Sequence, residues 1–402
     1  MRANPSADVV QALRTLVAFD TTSRNSNLEL IDWVCECASE AGARVRLTRN
    51  ADETKANALL SFGPDVEGGI VLSGHTDVVP VDGQQWSRDP FQLFEDSGRL
   101  YGRGAADMKG FIAACVACMP LWQRRSLEVP IHVALSFDEE IGCLGVPLLV
   151  QDFVENLPPP AFVLVGEPTG MRLATTHKGF CLFQTSFTGK EAHSSLAHQG
   201  VSAIAAAARF VNYLLDTGAL LTYRHSKIPG LLPGYTTFNV GKMEGGSAIN
   251  IIPRRCSLTW EFRPVPDEDV AAIKGRVEAF LDAGLMSEFG INRANGRVQH
   301  ELLLEVPPLH ADKDSVAARQ IAEFLGAEEP IVVPFGTEAG FYASAGWPAV
   351  VCGPGHIEQA HQPDEWTEAA QLHHCMRLLD QIADLASRSA THSKRELRHV
   401  TR

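Results

Sequence analysis

Three short apolar runs in this chain stop at, or just before, a residue that can bind a metal ion, and this pattern limits the fold more than any other feature. Ile70-Val-Leu-Ser-Gly-His75 ends on a histidine, Ile131-His-Val-Ala-Leu-Ser-Phe137 leads into Asp138-Glu139-Glu140, and Phe162-Val-Leu-Val165 leads into Gly166-Glu167. Runs of this length and apolarity read as β-strands. In open α/β sheets, ligands sit beyond the carboxyl ends of the strands, so a site belongs in the loop after each run. Helical apolar spacing over residues 9–19 and 28–38 alternates with the runs, which gives an α/β fold class.

From residue 179 the pattern changes. Phe180-Cys-Leu-Phe-Gln-Thr-Ser-Phe187 alternates, a helix is predicted over 201–211, strands over 236–240 and 256–262, and another helix over 268–281. The expected organisation is a discontinuous catalytic domain over 1–178 and 296–390, a smaller α+β domain inserted over 179–295, and a disordered basic tail over 391–402. The net charge of −13 argues against nucleic acid and anionic membranes as partners. No apolar stretch reaches the ~18 residues of a membrane span, and the first residues turn polar where a signal peptide is apolar. The cysteines are scattered with no disulfide framework, so the protein is expected in the cytoplasm. Cys115-Val-Ala-Cys118 has no second pair to close a thiolate site, and it reads as part of a buried helix.

Five residues form a donor set: His75, Asp107, Glu140, Glu167 and His361. Two imidazoles and three carboxylates can hold a pair of cations such as zinc if one carboxylate bridges, and cobalt and manganese accept the same donors. A cation pair turns water into hydroxide at neutral pH and polarises a carbonyl, which is hydrolase chemistry. Asp77 is spaced to accept from the His75 imidazole, although alone it reads equally as a turn cap. Asp107, by itself, could equally be a helix N-cap. Glu139 and Glu140 can divide the work, Glu140 as ligand and Glu139 as general base, with a solvated acidic loop as the plain alternative.

Other motifs fail. Asp107 stands where a dinucleotide fingerprint needs its third glycine, and no GxSxG occurs. His356 and His361 lie five apart, not the four of a helical zinc motif. His193, Asn250 and Arg263 carry no assignment from their own surroundings.

Taken together, Gly74-His-Thr-Asp-Val-Val-Pro80, Tyr101-Gly-Arg-Gly-Ala-Ala-Asp-Met-Lys-Gly110, Asp138-Glu-Glu140 and Gly166-Glu-Pro-Thr169 resemble a known family. It is that of the co-catalytic dinuclear zinc deacylases, which includes acetylornithine deacetylase and succinyl-diaminopimelate desuccinylase. The similarity runs from about His75 to Trp366. It implies one zinc on His75, Asp107 and Glu167, and a second on Asp107, Glu140 and His361. Asp77 would orient His75, and Glu139 would be the general base. The inserted block would be a dimerisation or lid domain of a homodimer, with His193 reaching across to stabilise the oxyanion. Asn250 and Arg263 would bind the substrate carboxylate, and Thr337 and Glu338 would line the pocket. His177-Lys-Gly179, Phe335-Gly-Thr-Glu-Ala339 and Ile357-Glu-Gln-Ala-His-Gln-Pro-Asp-Glu-Trp366 fall nearest the acetylornithine pattern, which implies N2-acetyl-L-ornithine as substrate. Another N-acyl amino acid, succinyl-diaminopimelate or a dipeptide keeps the same chemistry. A non-catalytic, metal-dependent binding protein is the alternative of a different class.

Overall fold

The computed structural model describes residues 8–285 and 296–388, with residues 283 and 284 given by backbone alone, and the tail expected at 391–402 lies outside the described residues. The chain divides into two compact units, the first from 1–176, 309–333 and 337–402, the second from 177–308 and 334–336.

In chain order the first unit begins with α1 (Val9–Ala18), α2 (Leu28–Glu40), β1 (Arg44–Arg49), β2 (Ala56–Phe62), β3 (Ile70–His75), β4 (Phe94–Asp96) and β5 (Arg99–Tyr101). It continues through α3 (Lys109–Trp122), β6 (Ile131–Ser136), α4 (Val146–Asn156), β7 (Phe162–Pro168) and β8 (Ala174–His177). The second unit follows with β9 (Phe180–Thr188), α5 (Ala203–Leu221), β10 (Thr237–Gly245), β11 (Arg255–Arg263), α6 (Val270–Ala279) and β12 (Arg297–Val306). The chain then returns with β13 (Leu309–His310), α7 (Val316–Phe324), β14 (Ile331–Val332), α8 (Ala339–Ser344), β15 (Ala349–Gly353), β16 (Trp366–Glu368) and α9 (Ala369–Ala386).

The first unit is organised by a nine-stranded mixed sheet in the order β1-β2-β6-β3-β7-β15-β8-β13, with β14 on β8. Its centre, β6-β3-β7-β15, is parallel, in a register that sets His75 opposite Ser136 and Ile70 opposite Phe162. Every residue of these four strands is buried, which is why they read as continuous apolar runs rather than alternating ones. Parallel strands end at the same edge. The ends of β3 and β7 and the loops after β6 and β15 therefore lie together, and they carry four residues of the expected donor set, His75, Glu167, Glu140 and His361. On the core side, α1, α3 and α9 pack through Leu13, Leu16, Phe111, Cys115, Leu372 and Leu379. Cys115 and Cys118 lie inside α3 as buried free thiols.

The second unit is an antiparallel sheet, β10-β11-β9-β12, with α5 on it. Alternating burial along β9 and β11 fits one covered face. Phe183, Phe187, Phe210, Trp260 and Phe262 fill its core, with the Phe183 and Trp260 rings stacked at 4.7 Å. Two sequence expectations change here. β12 pairs with β9 from Arg297 opposite Thr188 to Val306 opposite Phe180, so this unit runs past residue 295. Five of its ten residues are exposed and only Val306 is buried, and its one apolar run, Leu302-Leu303-Leu304, is too short to announce a strand. The second change concerns α5, whose 19 residues and mean hydropathy of 1.2 do meet the length and composition of a membrane span. Ala203, Ala206, Ala207, Phe210 and Leu214 are instead buried in the unit's core.

Candidate metal centre

The donors meet at the carboxyl edge of the parallel strands. β3 ends on His75, 1% exposed, and β7 carries Glu167, 4% exposed. Asp107 comes from the loop between β5 and α3, Glu139 and Glu140 from the turn after β6, and His361 from the loop after β15. Asp107 Oδ1 lies 3.0 Å from His75 Nε2, and its Oδ2 lies 3.2 Å from His361 Nε2, so one carboxylate spans both imidazoles. Glu140 Oε2 is 3.0 Å from His361 Nε2, and Glu167 Oε1 is 3.8 Å from His75 Nε2. Donor atoms of His75, Glu139 and Glu167 lie within 4.8 Å of one another, as do those of His75, Asp107 and Glu140.

Local sequence makes the approach possible. A Cβ on Gly166 would sit 2.1 Å from Phe111 Cγ, so only glycine lets β7 pass the helix next to Glu167. Asp138, Cys143 and His361 all have left-handed backbones, with φ of 56°, 57° and 62°. Such values are uncommon outside glycine and gather where the surrounding structure holds a site in place.

Burial and the neighbouring acids push Glu139 and Glu167 well above the usual carboxylate range, and Glu140 up to about 7. The imidazoles respond to the same charges. Burial opposes a charge on His75, but its bond to Asp107 and the nearby Glu167 outweigh that and raise it. Hydrogen bonds to Asp107 and Glu140 lift His361 to about 10. Against its own burial, Asp107 is held below the usual range by His361 and His75. Carboxylates crowded around two imidazoles call for positive charge, which is why the same contacts favour protonation of both. Oxygen and imidazole donors in this arrangement fit divalent cations, which would relieve the same repulsion.

The supporting contacts change one expectation. His75 Nδ1 is 2.9 Å from the backbone carbonyl of Asp77, while the nearer carboxylate oxygen stands at 3.6 Å. The carboxylate instead accepts the N–H groups of Glu139 at 3.0 Å and Glu140 at 3.2 Å, together with the Ser23 hydroxyl at 2.7 Å. Asp77 thus fixes His75 through its main chain and the two glutamates through its side chain. Glu338 and Thr337 are 1% and 0% exposed. The Glu338 carboxyl accepts the Ser73 hydroxyl of β3 at 3.0 Å and the Ser136 hydroxyl of β6. It ties the two strand ends together from inside. Thr337 Oγ1 accepts the Ala339 N–H at the start of α8. His356 packs against Gly170 and bonds Gln371 at 2.8 Å.

Sequence reasoning also missed Cys143, whose thiol reaches Glu139 at 3.4 Å, and the Lys55–Asp138 ion pair beside the turn. The remaining expected residues belong to the second unit. His193 is exposed, with Nδ1 at 2.8 Å from Ser195 Oγ, and the Ser194 N–H bonds the Asn250 carbonyl at 2.9 Å, so His193 and Asn250 are neighbours. Arg263 lies apart from them at the end of β11, bonded to Glu261 at 3.0 Å and stacked over Phe180.

Fold and site together define a metal-dependent hydrolase. The chain belongs to peptidase family M20/M25/M40, whose model matches residues 71–385. It is 35% identical over 382 residues to the acetylornithine deacetylase of Myxococcus xanthus, covering 93% of this chain and 97% of the relative. Among solved structures it is similar to a tripeptidase from Staphylococcus aureus, with a TM-score of 0.72 at 21% identity over 96% and 99% of the two chains. An M20 family metallo-carboxypeptidase from Sulfolobus solfataricus has a TM-score of 0.72 at 19% identity over 94% and 99%.

Proposed function

We propose that this protein holds two divalent cations, zinc first among them with cobalt or manganese able to replace it, and hydrolyses N2-acetyl-L-ornithine to L-ornithine and acetate in arginine biosynthesis. The observation that carries the cation pair is the Asp107 carboxylate placed between His75 and His361, one oxygen toward each. In this reading His75, Asp107 and Glu167 hold one cation, and Asp107, Glu140 and His361 the other. The substrate is supported by the likeness to the Myxococcus relative over nearly the whole chain.

When bound, the cations would lower the pKa of the attacking water and polarise the acetyl carbonyl. The residues of the chain handle the protons and the substrate. Glu139 takes a proton from the water as its oxygen bonds to the carbonyl carbon. It then returns that proton to the α-amine as the C–N bond breaks. Asp77 holds the Glu139 backbone for both transfers. By the family resemblance, His193 would reach across the dimer to stabilise the oxyanion, and Asn250 and Arg263 would bind the substrate carboxylate.

The same reading makes the protein a cytoplasmic homodimer, supported by its free cysteines and by the second unit's edge strands and exposed Leu215, Leu220 and Tyr223. Glu139→Ala is expected to abolish turnover while both cations stay bound, as checked by metal analysis beside kinetics. Near-normal kcat in that variant would remove Glu139 from the role of base.

A further inference from the structure

We propose that Arg103 is a positioning residue that sets the His361 side of the metal centre through two hydrogen-bonded arms. The inference rests on the cation-pair reading above. Arg103 is 1% exposed. Its Nη1 donates to Glu365 Oε2 at 2.6 Å, and Glu365 is equally buried. The other oxygen of Glu365 accepts the N–H of Ala106 at 2.9 Å and of Asp107 at 3.1 Å. This first arm holds the main chain of the spanning carboxylate.

The second arm starts at Nη2, which donates to Gln84 Oε1 at 2.5 Å. Gln84 Nε2 in turn donates to the His361 carbonyl at 2.9 Å. Trp86 reinforces this arm, donating Nε1 to Gln84 Oε1 at 3.0 Å, with its ring 5.0 Å from the guanidinium carbon. One planar cation with several fixed donors can serve both arms at once, and lysine has no such fork.

The need for such a brace is visible at His361. Its side chain is 48% exposed, and its backbone is left-handed at φ 62°, so neither packing nor local preference fixes it. His75, by contrast, ends a fully buried strand. Partners behind a metal ligand typically change affinity by about 10–100-fold. Losing the Gln84 arm should therefore act on one cation and leave the other alone.

The test uses Gln84→Glu, which keeps an acceptor for Arg103 and Trp86 but replaces the donor to the His361 carbonyl with an oxygen. Gln84 is partly exposed, which makes the variant safe for folding, whereas changes to buried Arg103 can fail to fold. Chelator-stripped full-length chain is titrated with zinc against a competing chelator, and the melting temperature of the metal-free form is recorded. The expected result is two binding steps in the parent. In Gln84→Glu one step is weakened about 10–100-fold, the other is unchanged, and the metal-free melting temperature is retained. Two unchanged steps, or equal weakening of both, would overturn the inference. A parent chain that binds fewer than two zinc ions would instead overturn the cation-pair reading itself.

Discussion

The two sides of the metal centre are built by different means. His75 and Glu167 lie on buried parallel strands, and their positions follow from sheet register and packing. His361 sits on a half-exposed loop with a left-handed backbone, where hydrogen bonds from distant residues do what packing does on the other side. A strand-borne ligand cannot shift without disturbing the core, whereas a loop-borne ligand can be tuned or lost separately. The sides should therefore fail differently.

His75→Ala should produce the largest effect. It removes an imidazole that faces Asp107 and Glu167 and leaves buried acids without their partner, a change that typically costs about 3–5 kcal/mol. Cation binding, turnover and the stability of the metal-free protein should fall together in metal analysis, kinetics and thermal melting. His361→Ala should be milder, lowering the bound cation count by one with little change in the metal-free melting temperature. Equal damage from the two variants would erase the distinction between the sides.

Acidity offers a smaller and graded test. At neutral pH His361, raised to about 10, carries a proton and Glu140, raised to about 7, is about half protonated, and a cation must displace both. Loading should release protons, and affinity on the His361 side should weaken as pH falls below about 10 and more steeply below about 7. Titration calorimetry in buffers of different ionisation enthalpy would register this, and an affinity independent of pH would contradict it. For cation binding the smallest change is Gly166→Ala, which alters no ligand but would meet the Phe111 ring and lower stability by about 1–3 kcal/mol through overpacking. The displaced β7 should weaken the Glu167 side rather than the His361 side.

What could be read from the chain divides along the same line. Strands β3, β6 and β7 were legible because doubly buried strands must be apolar throughout, and the acids and histidine at their ends stood out against those runs. The network behind His361 was not legible. Arg103 lies among small residues in Gly102-Arg-Gly104 and gives no sign of its burial, and its partners Gln84 and Glu365 are far away in sequence. Asp77 was found by its spacing, but which of its atoms faces His75 depends on how the turn bends. The bonds of Glu338 to Ser73 and Ser136 could not be read from sequence either, because the partners lie more than 200 residues away. β12 was missed as an edge strand with half of its residues exposed and only three leucines in a row.

The most direct test of the account is kcat/KM for N2-acetyl-L-ornithine beside N-succinyl-diaminopimelate, a dipeptide and several N-acetyl amino acids, measured on chelator-stripped and zinc-restored enzyme. The stripped enzyme is expected to show no turnover and, on restoring zinc, to recover activity led by N2-acetyl-L-ornithine. Turnover that survives stripping would contradict the metal centre as the seat of catalysis, and metal-dependent turnover led by another acyl compound would contradict the substrate.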